Sequence, residues 1–271
     1  MNLEMPKIIY GTAWKKEKTA AFVVQAVEAG FHAIDTACQP KHYFERGVGD
    51  ALAILKTKGF KRSDIFLQTK FTPLAGQDPN AIPYDKNASL KTQVAESFEV
   101  SKKNLQTDYV DALVLHSPLF PFAKLLEVWR AMELLYKNAE ALQLGISNCY
   151  DLALLQRLYE EAQIKPSIVQ NRFYADTGYD KELRKWCREK NIRTQSFWTL
   201  SANPHLLASK TIVKIALKYK KSEAQILFNY LYTQGVTPLS GTTSAEHMQE
   251  DLQAFDFVMS DDEKRSISEL L

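Results

Sequence analysis

Ile65-Phe66-Leu67-Gln68-Thr69-Lys70 is a short run of apolar and β-branched residues that ends on a charge. A run of this length reads as a buried strand, and a lysine inside such a strand needs a partner. The pattern recurs. Asp35 follows Phe31-His32-Ala33-Ile34, His116 closes Val110-Asp111-Ala112-Leu113-Val114-Leu115, and Tyr43 lies in the loop after Asp35. In a barrel of alternating strands and helices the carboxyl ends of all strands open onto one mouth, so these residues can meet there.

Working outward, strand-like runs cover Ile8–Thr12, Ala33–Thr36, Ile65–Thr69, Ala112–Leu115, Leu142–Ile146, Ser167–Gln170, Arg193–Phe197 and Val236–Leu239, eight in all. Segments with helical spacing lie between them, such as Val23, Ala26 and Val27, then Leu90, Val94 and Phe98, then Leu152, Leu155, Leu158 and Tyr159. Regular alternation implies parallel pairing through right-handed crossovers. The pattern therefore predicts an α/β fold, a (β/α)8 TIM barrel forming a single domain over residues 1–271. The competing doubly wound sheet would carry a Gly-rich first turn, and Gly11-Thr12-Ala13-Trp14 has one glycine. Residues Thr72 to Asn87 form a long Pro- and Asp-containing loop expected to border the mouth. Thr211–Tyr219 and Ser222–Gln234 read as consecutive helices, and Ser260-x-x-Glu263 is a capping box opening a last one.

The length, 271 residues, suits one barrel of roughly 250. With 45% hydrophobic and 24% charged residues, the chain has material for a core. Lys plus Arg number 34 against 32 Asp plus Glu, interspersed, so no broad field points to nucleic acid or an anionic membrane. No apolar stretch nears a membrane span, and Met1 to Pro6 lack a signal peptide's order, so the chain reads as cytoplasmic. Its three cysteines, Cys38, Cys149 and Cys187, form no metal or disulfide spacing and read as small reduced side chains. The expected partner is a small molecule, with the chain a monomer or weak homo-oligomer.

A tyrosine hydroxyl titrates near pH 10 and works at neutral pH only with help from a neighbouring cation. Lys70 can supply it, Asp35 can pair with Lys70, and His116 can donate a hydrogen bond to a substrate oxygen. Together they suit protonation of a carbonyl oxygen while a hydride arrives at carbon. No side chain delivers hydride, so a nicotinamide or flavin cofactor is required. Taken singly, Asp35 reads as a turn cap, His116 as a core histidine, and Trp14 and Phe197 as core aromatics. The combination outweighs those readings.

The chain resembles the aldo-keto reductase family over nearly its whole length. The resemblance is carried by Gly11-Thr12-Ala13-Trp14, Ala33-Ile34-Asp35-Thr36-Ala37, Leu67-Gln68-Thr69-Lys70, Asp108-Tyr109-Val110-Asp111, Leu115-His116-Ser117-Pro118, Leu144-Gly145-Ile146-Ser147-Asn148, Val169-Gln170, Ser196-Phe197 and Pro238-Leu239-Ser240-Gly241-Thr242-Thr243. It implies NAD(P)H-dependent reduction of aldehydes or ketones to alcohols, with Tyr43 as acid, Lys70 and Asp35 tuning it, and His116 orienting the carbonyl. By the same matching, Ser147, Asn148 and Gln170 hold the nicotinamide carboxamide, and the ring stacks on Phe197. Gly11, Thr12, Asp35, Trp198 and Leu200 complete that part of the cofactor site. Ser240, Gly241, Thr242, Thr243, His247, Glu250 and Asp251 take the adenosine end. Trp14, His116, Phe71 and Phe120 are the implied substrate walls. Thr243 and Glu246 have capping-box spacing, and a helix start favours a phosphate.

This chain departs from the family pattern in three places. The Asp35-to-Tyr43 connection is longer than usual, which leaves His42 as an alternative acid. Gly241 and His247 stand where NADPH-preferring members commonly place a lysine and an arginine, so the expected cofactor is NADPH with NADH also accepted. The N-terminal hairpin and C-terminal tail look short, which predicts an open mouth with apolar walls, Phe122 among them, and loose selection without a preference for highly charged substrates. Two other functions remain open. One is a nucleotide-binding regulatory or interaction protein with little turnover. The other is an isomerase or aldolase using Lys70 as a Schiff base, which leaves Ser147, Asn148, Gln170 and the Gly241 loop unexplained.

Overall fold

A computed structural model of the chain describes residues 6–271. Eight parallel strands close into a barrel in sequence order, β1 (Ile9–Gly11), β2 (Ala33–Asp35), β3 (Phe66–Phe71), β4 (Ala112–Leu115), β5 (Leu144–Ser147), β6 (Ile168–Arg172), β7 (Arg193–Phe197) and β8 (Val236–Ser240). β8 pairs with β1 through Ile9 opposite Leu239 and Tyr10 opposite Ser240, which excludes the open doubly wound sheet. Between strands run α1 (Thr19–Ala29), α2 (Glu45–Thr57), α3 (Leu90–Leu105), α4 (Phe122–Lys137), α5 (Leu152–Glu161) and α6 (Lys181–Glu189). A short α7 (Pro204–Leu207) precedes the expected pair, α8 (Lys210–Tyr219) and α9 (Glu223–Thr233), and α10 (Ala245–Leu252) and α11 (Asp261–Ser268) follow β8. The Ser260–Glu263 capping box opens α11 as its sequence predicts. The part of the N-terminal hairpin expectation that falls on residues 1–5 lies outside the described residues.

Side chains alternate across each strand, and this alternation builds the site. Outward residues such as Ile34, Leu67, Leu113 and Ile146 pack under the helices. Inward, the barrel is layered: Ile9, Ala33, Phe66, Ala112 and Ile168 form an apolar floor. One step nearer the carboxyl ends the filling turns polar, with Asp35, Gln68, Gln170 and Gln195 buried together. β5 needs Gly145 because a Cβ there would meet Ile168 Cβ at 2.9 Å and its carbonyl at 3.0 Å. All three cysteines are buried and free. Among the described residues no helix is long and apolar enough to cross a membrane, and no group of side chains could hold a metal ion.

Candidate active site and dinucleotide cleft

Lys70 points inward from β3 with its side chain 1% exposed, and its Nζ donates to Asp35 Oδ2 at 2.6 Å and to the Thr36 carbonyl at 2.9 Å. Burial lowers the Lys70 pKa, but the Asp35 carboxylate and Tyr43 outweigh it and the net direction is up. The other Asp35 oxygen accepts from Gln68 at 2.6 Å and from Gln170 at 3.0 Å. Those two amides also donate to Gln195 Oε1, at 3.0 and 2.9 Å, and Gln195 returns a bond to Gln68 at 2.9 Å. A ring of amides from β3, β6 and β7 thus fixes the carboxylate that fixes the lysine.

The long β2–α2 connection delivers Tyr43 to this pair despite its atypical length. Lys70 Nζ lies 5.1 Å from the Tyr43 ring centroid, and the Tyr43 and His116 rings are 6.0 Å apart. Burial raises the Tyr43 pKa, Lys70 opposes the rise, and Asp35 adds to it. Lys70 thus acts on Tyr43 in the expected direction, but desolvation wins and the phenol stays protonated at neutral pH. His116 accepts or donates at Nδ1 to Thr72 Oγ1 at 2.7 Å, while burial, Lys70 and His42 hold its pKa well below the ordinary value. It is a neutral hydrogen-bonding imidazole at pH 7. His42, the alternative acid, stacks on Trp14 with ring centroids 4.0 Å apart, and burial and the Lys41 charge lower its pKa against a backbone bond at Lys41.

Asp35, Tyr43 and His116 open onto a cavity of about 1130 Å³ that runs on to α10. Its wall includes Gly11, Trp14, Ser147, Asn148, Gln170 and Phe197 near the ion pair. Trp198, Leu200, Ser240, Gly241, Thr242, His247, Glu250 and Asp251 line it as well. Ser147, Asn148 and Gln170 are locked in place: Ser147 Oγ donates to the Gln170 carbonyl at 2.6 Å, and Asn148 Nδ2 to the His116 carbonyl at 2.9 Å. Lys15 donates to the Gly241 carbonyl at 2.8 Å and steadies that loop, its pKa pulled down to about 8 by burial. Ser240 Oγ donates to Asp251 Oδ2 at 2.5 Å, and burial carries the Asp251 carboxyl up to about 6 against that bond. An aromatic face, amide and hydroxyl groups at one end and a helix start at the other fit a nicotinamide dinucleotide.

Several expected residues fall elsewhere. Phe71 is 2% exposed and packs on Tyr84 at 5.7 Å, because Lys70 faces inward and its neighbour must face the helices. Phe120 is 71% exposed in the loop after β4, off the cavity wall, and Phe122 sits under Arg157 at 3.9 Å. Thr12 is fully buried and braces β1 to β2 by donating to the Asp35 carbonyl at 2.9 Å. Thr243 is exposed and caps nothing: Ser244 is the cap of α10, accepting from the His247 N–H at 3.3 Å. The Thr72 to Asn87 loop backs His116 instead of walling the cavity. Tyr84 and Gln77 both donate to the Thr72 carbonyl, and Gln39 donates to the Gly76 carbonyl. In its place the wall is made by the exposed Trp14 and Trp198 and the half-buried Arg172, which the sequence reading does not single out. Gln68, Gln195 and Thr72 were missed as well. The first two had a visible signal, a polar residue at an inward strand position.

The Aldo/keto reductase family model matches residues 7–271. Glyoxal reductase of Bacillus subtilis is 29% identical over 92% of this chain and 82% of that protein. An NADPH-dependent alpha-keto amide reductase of Saccharomyces cerevisiae is 29% identical over 96% of this chain and 84% of its own length. The crystal structure of an aldo/keto reductase from Brucella melitensis superposes with a TM-score of 0.83 at 28% identity, covering 98% of this chain and 95% of that one.

Proposed function

The chain belongs to the aldo-keto reductase family; it is an NAD(P)H-dependent oxidoreductase that reduces aldehydes or ketones to alcohols, and we propose that Tyr43 is its general acid. The observation that carries this reading is the chain of contacts Gln68/Gln170–Asp35–Lys70 ending against the Tyr43 ring on the wall of one cavity. Nicotinamide, when bound, supplies the hydride. Tyr43, protonated at neutral pH, gives its proton to the carbonyl oxygen as negative charge develops there, and the Lys70 ammonium stabilises the phenolate left behind. Neutral His116 holds the carbonyl oxygen by a hydrogen bond, its ring steadied by Thr72. Ser147, Asn148 and Gln170 hold the carboxamide and Phe197 the ring face, while Gly11, Trp198, Leu200, Ser240, Gly241 and Thr242 line the rest of the cleft.

Glu223, Glu250 and Asp251 border the adenosine end, with the basic His247 beside them on the wall. A carboxylate suits a ribose hydroxyl and an arginine a 2′-phosphate, so this end supports use of NADH beside NADPH. Dicarbonyls and keto amides, on which the named relatives act, are the first substrates to try. The same reading takes the whole chain as one barrel domain, cytoplasmic, working on small molecules as a monomer or weak homo-oligomer. Tyr43→Phe tests it: turnover should fall by about 10²–10⁴, the span of general acid catalysis. Quenching of protein fluorescence by NADPH and NADH should still report nearly unchanged affinities. Retention of most turnover would remove Tyr43 from the role.

A further inference from the structure

Arg172 ends β6 on the inward side. Ile168 packs inside the barrel and Gln170 reaches Asp35, and side chains two apart share a face. At about 3.3 Å per residue, Arg172 stands roughly 6–7 Å nearer the mouth than Gln170. There it lines the cavity that holds Tyr43 and His116. Its guanidinium carbon lies 4.1 Å from the Trp198 ring centroid and 5.1 Å from that of Tyr174. Its Nε is buried with no acceptor, and among the described residues Arg172 enters no ion pair. A guanidinium N–H kept from water without an acceptor is costly, and a ligand oxygen relieves that cost.

Position decides which ligand. The Arg172 backbone N–H donates to the Tyr150 hydroxyl, which donates to Asn148 Oδ1, and Asn148 donates to the His116 carbonyl. Arg172 is therefore tied to the His116 sector. The phosphate-suited helix start at Ser244 follows β8, and β7 lies between β8 and β6. The other carboxylates on the wall are spoken for or distant: Asp35 is held by Lys70, and Glu223, Glu250 and Asp251 sit where α9 abuts α10.

We propose that Arg172 selects carbonyl substrates that carry a carboxylate. Flanked by two aromatic planes, its guanidinium presents an edge, and that planar fork matches a carboxylate with two parallel N–H···O bonds. Trp14 and Trp198 on the wall then flank the carbon skeleton between Arg172 and the Tyr43–His116 pair. This rests on the assignment of Tyr43 and His116 to carbonyl reduction, and it replaces the expectation of an apolar, charge-indifferent mouth.

The test compares 4-carboxybenzaldehyde with its neutral methyl ester in the wild type, Arg172→Met and Arg172→Lys. The wild type should prefer the acid. In Arg172→Met, kcat/KM for the acid should fall on the order of 10- to 100-fold, the worth of hydrogen bonds to a charged group, with the ester nearly unchanged. Arg172→Lys, charged but without the fork, should fall between. NADPH affinity, read by fluorescence quenching, should hold in both variants. Terephthalate, which cannot be reduced, should bind the NADP⁺-loaded wild type and lose most of its affinity in Arg172→Met. If neither aldehyde turns over yet terephthalate behaves so, Arg172 is a carboxylate site but the assignment of Tyr43 and His116, and with it the selection of substrates, fails. Equal losses for acid and ester, or an NADPH affinity that falls with them, would overturn it by assigning Arg172 to the cofactor or to the fold.

Discussion

The polar layer inside the barrel and the lip above it are built from opposite materials. In the layer, Asp35, Lys70, Gln68, Gln170 and Gln195 stand on regular strands, each 2% exposed or less, and bond one another from separate strands. At the lip, Trp14, Asn148 and Trp198 take left-handed backbone with φ of 65°, 54° and 55°. Trp14 and Trp198 are 60% and 51% exposed, and Arg172 lacks an ionic partner among the described residues. Left-handed conformations in residues other than glycine cost free energy and persist where the surroundings impose them. The difference separates two jobs. The layer holds one charge arrangement without reorganisation, which proton transfer needs. The lip keeps polar capacity unspent, which recognition needs.

The sharpest way to break this contrast is to delete a charge from the layer. Lys70→Met leaves Asp35 buried with two amides and no cation, and loss of one partner of a buried pair costs about 3–5 kcal/mol. Denaturant titration should show that loss, and turnover should vanish with it. The double variant Asp35→Leu/Lys70→Met should recover part of the stability, because it removes the orphaned charge along with its partner. If Lys70→Met unfolds within about 1 kcal/mol of the wild type, the layer is more solvated than its geometry implies and the contrast with the lip dissolves.

A smaller perturbation separates positioning from charge. Gln195→Leu takes away the acceptor shared by Gln68 and Gln170 and the donor to Gln68 Oε1, yet leaves both amide bonds to Asp35 in place. Unsatisfied buried groups cost about 1–3 kcal/mol, so stability should drop by that amount. The larger consequence falls on kcat rather than on cofactor affinity, because the ring orients Asp35. Unchanged kcat with lowered stability would make Gln195 part of the core packing alone.

How far each region was legible follows from the same contrast. The layer could be read because strand alternation is strict: Asp35, Lys70 and Gln170 each close a recognisable apolar run, and the eight runs locate the barrel. Phe71 obeys the same rule and leaves the cavity, since a residue next to an inward lysine faces out. Tyr43 was reached only through its family motif, because no periodicity runs through the loop after β2. Arg172 was invisible for a different reason. The apolar run of β6 ends at Gln170, and only the structure extends the strand to Arg172 and gives it the inward face. The Thr72 to Asn87 loop lies where tertiary hydrogen bonds, not sequence spacing, set direction.

Asp251 tests whether the α10 end of the cavity resembles the layer or the lip. It is buried and bonded to Ser240, as in the layer, yet it has no cation paired with it among the described residues. Burial carries its carboxyl from 3.8 up to about 6. The native state therefore binds more protons than the unfolded chain between those values, and stability falls as pH rises through about 6. Asparagine keeps an oxygen for the Ser240 hydroxyl and cannot ionise. Asp251→Asn should thus stabilise the protein by about 1–2 kcal/mol at pH 8, discounted from the full 1.36 kcal/mol per pKa unit, and leave it unchanged at pH 4. Thermal melts across that range read the difference. Removing the negative charge should also move the ratio of NADPH to NADH affinity toward NADPH. A stability gain of the same size at both pH values would place the effect in packing and leave the carboxylate without a part in choosing the cofactor.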